Sequence, residues 1–197
     1  MQPAAAEANV TGAAFLGLIR HVKDSAGAEV LADIVASAGP STGNVFASPI
    51  RIRAWYPYSA YTAFLTSIDA KLGQSDLAYC RSLGEFAGTR DLGTIFKIYV
   101  AISSPERLIR SCTKVWSSYH KNAGEMRALA WAPEETILRI DGFPAMHKGH
   151  CLLMEGWMLR TMDTIGCRVL PGARETTCMS NGGAFHEFRC QWESTGR

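Results

Sequence analysis

Apolar residues return every three or four positions through the first two thirds of the chain and then, near Gly124, begin to alternate. The helical period is clear in Ala13 to Lys23, where Phe15, Leu18, Ile19 and Val22 share a face, and again in Ala28 to Ala38. Gly39 to Gly43 is a stop, and Pro57 suits the first turn of the next helix, whose body is Ala60 to Leu72. The same spacing predicts helices over Asp76 to Thr89, Leu92 to Ile102, and Pro105 to about Tyr119. Glu125 to Trp131 and Thr136 to Ile140 then alternate about the turn Ala132-Pro133-Glu134, a predicted hairpin. His147 to Ile165 returns to helical spacing and ends at Gly166. Arg168 to Met179 and Phe185 to Glu193 flank Asn181-Gly182-Gly183 and read as a second hairpin, with Pro171-Gly172 as a kink. Helices set apart from antiparallel strands define the class as α+β: a helical bundle, then a small sheet of two hairpins with a helix between them.

The chain has 197 residues, of which 47% are hydrophobic and 19% charged, enough apolar material for one folded core. Residues 12–193 are expected to form a single domain, with 1–11 a disordered arm and 194–197 a tail. Net charge is +2 and the basic residues are dispersed, so nucleic acid is not an expected partner. Lys97 interrupts the best apolar run, Thr94 to Ile102, and no membrane span is expected. Met1 to Val10 lacks the charged start and apolar core of a secretory signal, and the six cysteines then read as thiols in a cytoplasmic protein.

Phosphate-binding glycine loops, the Gly-x-Ser-x-Gly elbow, His-Glu-x-x-His and paired Cys-x-x-Cys knuckles are all missing, which favours a binding protein over an enzyme. Two constellations stand out. Cys151 lies early on the helix near His147, Cys178 ends a strand, and His186 begins its hairpin partner. Two thiols and an imidazole suit zinc, with Glu125, His150 or Cys190 as the fourth ligand. The aromatics Trp55, Tyr58, Phe64, Phe96, Trp116, Trp131 and Trp157 sit on different elements. They either fill the core or line a pocket for an apolar or aromatic ligand.

Trp55-Tyr56-Pro57-Tyr58, the segment Ser104-Pro105-Glu106 to Trp116-Ser117-Ser118-Tyr119, and Gly156-Trp157 resemble a largely uncharacterised family found mainly in myxobacteria. So do Glu175-x-x-Cys178, Gly182, Phe185-His186-Glu187-Phe188 and Trp192. That family is similar to the 4-vinyl reductase domains, whose fold is shared with haem-based NO-binding sensor domains and core TRAPP subunits. The resemblance implies a non-catalytic sensor of a small aromatic ligand that signals through a homodimer or a partner protein. An adaptor module with no ligand is the alternative. It also implies a zinc ion at Cys151 and Cys178, with His186 in the place of a third cysteine and Glu125 near the place of an acidic ligand. Haem is not expected, because no histidine has surroundings in the sequence that mark it as an iron ligand.

Overall fold

A computed structural model describes residues 6–94, 104–132 and 134–194. Strand β1 (Asn9–Thr11) leads into helices α1 (Gly12–Ala26), α2 (Ala28–Ser37) and α3 (Pro40–Phe46). Strand β2 (Trp55–Pro57), α4 (Tyr58–Leu72) and α5 (Tyr79–Thr94) follow. After these come α6 (Pro105–Arg110), α7 (Cys112–Tyr119) and β3 (His120–Lys121). The C-terminal part is β4 (Glu125–Ala132), β5 (Glu135–Asp141), α8 (Lys148–Thr164), β6 (Cys167–Val169), β7 (Arg174–Thr177) and β8 (His186–Ser194). The class is α+β, as the change of period predicts. The helix expected over Leu92 to Ile102 lies outside the described residues beyond Thr94.

The helices pack around Phe15, which is fully buried and touches Phe46, Tyr56, Tyr61 and Phe64 at ring separations of 5.3 to 6.2 Å. Helix α8 lies between this bundle and the larger sheet, packed against α5 on one side and β6, β7 and β8 on the other. Strand β8 is central to that sheet: β5 pairs along one edge, and β6 and β7 share the other. The single long strand expected over Arg168 to Met179 is thus two strands, divided where Pro171-Gly172 predicts a kink; Gly172 has φ +105°.

Several boundaries differ from expectation: the stop expected over Gly39 to Gly43 is occupied by helix α3, and the helix expected from Pro105 to about Tyr119 is two, α6 and α7. Asn9–Thr11 is no arm but the middle strand of a three-stranded sheet, paired with β2 and with β3. Its composition is too polar to announce a strand; pairing on both edges and the complete burial of Val10 hold it. At the other end β8 includes Ser194, which pairs with Cys167. Pro57 does not enter the helix but precedes it, and the turn N–H of Tyr58 is taken by the carbonyl of Ala8.

Candidate functional site

An apolar cavity of about 120 Å³ lies between α1, α6, α7, α8 and the larger sheet. Helix α8 contributes a stripe, His150, Leu153, Met154, Trp157, Met158 and Thr161, at the three- and four-residue spacing of one helix face. Trp116 and His120 close one end. The His120 ring stacks on Trp116 at 3.8 Å and stands 5.1 Å from His150.

Hydrogen bonds settle which nitrogen of each ring carries a proton. His120 Nδ1 faces the Trp116 carbonyl at 3.2 Å and must donate to it, so its neutral ring keeps an Nε2 lone pair. The Tyr58 hydroxyl accepts the His147 N–H at 3.0 Å, and its own proton goes to His150 Nδ1 at 2.9 Å. His150 therefore carries its proton on Nε2. Burial pushes His120 down to about 3, against a smaller rise from the Trp116 carbonyl. Burial, then the charges that His120, His186 and His147 would carry, hold His150 well below the ordinary histidine range. The cavity wall thus offers one neutral acceptor and one neutral donor. Cys112, whose thiol burial pushes up, adds a soft donor to the same wall.

Behind the cavity, one residue further along α8, lies a second cluster. Cys151, Glu175, Cys178 and His186 offer four ligand atoms, all within 4.8 Å of one another. The separations are 3.9 Å between the two sulfurs, 3.5 Å from Cys151 Sγ to His186 Nδ1, and 3.1 Å from Nδ1 to Glu175 Oε1. Tetrahedral zinc with ordinary bond lengths would set these edges at roughly 3.8, 3.6 and 3.4 Å. His186 Nε2 donates to the Phe143 carbonyl at 3.2 Å, which directs the Nδ1 lone pair at the cluster, as the outer hydrogen bond of a metal-bound histidine does. A lone pair 3.1 Å from a carboxylate oxygen needs a positive species between them, a proton on Nδ1 or a metal ion. Burial pushes the Glu175 carboxyl up, but hydrogen bonds from His186 and then Lys148 outweigh it and bring it down to about 2. The Lys148 ammonium, 2.7 Å away, balances part of the charge that two thiolates and a carboxylate would leave around a divalent ion.

The structure brings Cys151, Cys178 and His186 together but leaves Glu125 out: it is exposed at the start of β4, opposite Asp141. Glu175 takes the fourth corner, and the sequence signal for it is its place in Glu175-x-x-Cys178. Of the aromatics, Trp116 and Trp157 line the cavity, and Tyr58 reaches it through His150. Phe64 is core, and Trp55 is 41% exposed at the surface. Phe96 and the side chain of Trp131 lie outside the described residues; the Trp131 backbone pairs with Thr136. In the sequence His150 stands out only as a candidate fourth zinc ligand, and His120 carries no distinguishing signal. Both are on the cavity wall.

No family model and no curated protein matches the chain. Solved structures do. An H-NOX protein from S. oneidensis in the Fe(II) ligation state is similar at a TM-score of 0.75 and 13% identity, over 95% of this chain and 98% of that one. The Fe(II) unliganded H-NOX protein from K. algicida gives 0.71 and 12%, over 95% and 98%. A structure described under heme redox potential and protein-induced porphyrin distortion gives 0.66 and 12%, over 92% and 99%. The likeness is one of fold: this chain has the H-NOX architecture, the haem NO-binding fold, along almost its whole described length. The expectation that haem has no place here is corrected by it. That expectation rested on finding no histidine in suitable surroundings, and surroundings are tertiary: His120 and His150 are ordinary loop and helix-start residues until the chain folds around them.

Proposed function

We propose that this chain is a small-molecule sensor domain whose ligand chamber is the apolar cavity at His120 and His150, supported from behind by a structural metal at Cys151, Glu175, Cys178 and His186. The observation that carries the reading is a pair of uncharged imidazoles on the wall of a mainly apolar cavity. Placing polar rings against an apolar space costs free energy unless something in the chamber offsets it, and the buried Thr161 hydroxyl on the same wall has no hydrogen-bond partner among the described residues. An adaptor module would have filled this space.

The donor set fits haem. His120 is a neutral imidazole with Nδ1–H committed to a backbone carbonyl, the arrangement that presents Nε2 to iron, and the wall around it is apolar. His120 would hold the iron, and bound haem would supply the coordination position for a diatomic gas. The free volume is smaller than the ~300–1,000 Å³ of pockets for drug-sized ligands, so a macrocycle requires the walls to part. That same volume favours, as a second reading, a small hydroxylated apolar ligand that accepts from His150 and donates to His120. Titration of the metal-loaded protein with hemin separates the two. A saturable Soret band lost in His120→Ala supports haem. No Soret band, with tryptophan quenching by a small hydroxylated aromatic such as p-cresol, supports the second reading. Neither response removes the ligand chamber altogether.

A further inference from the structure

Trp55 has no place in the chamber, and its surroundings suggest another use. Among the described residues Ile52 and Trp55 are two of the three exposed large hydrophobics, at 49% and 41%. They are interleaved with Arg51 and Arg53, both exposed. The segment is held, not frayed. Ala54 N–H donates to the Arg51 carbonyl at 3.0 Å, closing a turn with Ile52 and Arg53 at its tip. The first N–H groups of α1, on Gly12 and Ala13, donate to the carbonyls of Ala54 and Ile52 at 2.9 and 3.0 Å. Arg51 N–H donates to the Tyr56 hydroxyl at 2.9 Å. A side chain at Gly12 would put its Cβ 2.2 Å from the Arg51 carbonyl oxygen, so only glycine lets the turn seat on the helix start.

Along the chain the charge around this turn has one sign, and the Glu7 carboxylate at the far end of β2 accepts from the Ser59 hydroxyl at 3.1 Å. From Ile34 to Ile68 the chain holds no Asp or Glu, and Arg51 and Arg53 are its only charged residues. Neither guanidinium forms an ion pair among the described residues. We propose that this turn is a docking surface for an anionic lipid bilayer. Ile52 and the Trp55 indole enter the headgroup boundary, and the two guanidinium groups pair with lipid phosphates. A tryptophan and an aliphatic residue beside paired arginines suit an interface that is apolar on one side and anionic at its rim. A second copy across a twofold axis would set arginines against arginines. A peptide strand added to β2 would meet Pro57, which has no N–H to give.

Sedimentation of the full chain with vesicles tests this. The expected result is binding to vesicles of phosphatidylcholine with about one third phosphatidylglycerol, none to phosphatidylcholine alone, and weakening as salt rises. Partitioning should fall about tenfold or more in R51Q/R53Q and in Trp55→Ser, with circular dichroism unchanged because all three positions are exposed. Wild-type protein that ignores anionic vesicles, or variants that bind them as well as wild type does, would overturn the proposal. Retention on immobilised polyglutamate with no vesicle binding would overturn it too, in favour of an acidic protein partner.

Discussion

At the residue scale, the proposed function rests on groups whose chemistry is ordinary and whose placement is not. His150 is buried and His120 is half-buried against the Trp116 ring, and the desolvation that keeps both neutral sets the sign of a pH effect. Both have folded-state values below the unfolded ~6.5, so below that pH the unfolded chain binds more protons and stability falls. The loss begins near pH 6.5 and continues for His120 toward about 3. It should reach up to about 1.4 kcal/mol per pH unit for each ring. Urea unfolding between pH 7 and 5 should show stability falling with pH, His21 and His147 adding to the slope because burial lowers them too, and His120→Gln should make that slope shallower. At the metal cluster, Cys178→Ser and Glu175→Gln should each abolish stoichiometric zinc measured by elemental analysis, while Glu125→Gln should leave it intact. Cys151, Cys178 and His186 could be named from the sequence because thiols and imidazoles are few. Glu175 could not be told from Glu125, because carboxylates are many and only the β7–β8 pairing decides which one arrives.

At the element scale, the site depends on how closely α5 and α8 cross. A Cβ on Gly84 would lie 1.9 Å from the Leu153 carbonyl oxygen, and one on Gly156 would lie 2.0 Å from that of Arg81. The two backbones touch through these glycines. Gly156→Ala should therefore cost about 2–4 kcal/mol in denaturant unfolding and, by pushing α8 away, weaken ligand binding in the chamber that α8 lines. Fully buried Asp69 at the end of α4 holds the connection to α5, accepting the N–H groups of Leu77 and Tyr79 at 2.9 and 3.2 Å. Asp69→Ala leaves two half-buried donors without their partner, and a loss of about 1–3 kcal/mol is expected. Helix positions were legible because apolar spacing is a local property of each segment. The crossing was not: Gly84 and Gly156 look like helix weakeners until the facing backbone is known.

At the scale of the whole molecule, the cavity and the Cys151–Glu175–Cys178–His186 cluster share one element. His150 and Cys151 are neighbours at the start of α8, one on the cavity wall and the other at the cluster, and the Tyr58 hydroxyl ties that start to α4. On the proposed reading, chelation of the cluster's metal should loosen this end of α8, lowering the midpoint of thermal unfolding and weakening ligand in the chamber together. Unchanged ligand affinity in the metal-free protein would separate the two sites.

By itself the sequence determined the α+β class, the longer helices and the two hairpins, and the supply of thiols, imidazoles and aromatics, because periodicity and turn chemistry act over a few residues. Tertiary structure alone decided that Asn9–Thr11 would be a central strand, that Glu175 would complete the cluster and that His120 and His150 would share an apolar wall. Each of those depends on segments tens of residues apart meeting, and burial and proton placement exist only once they have met.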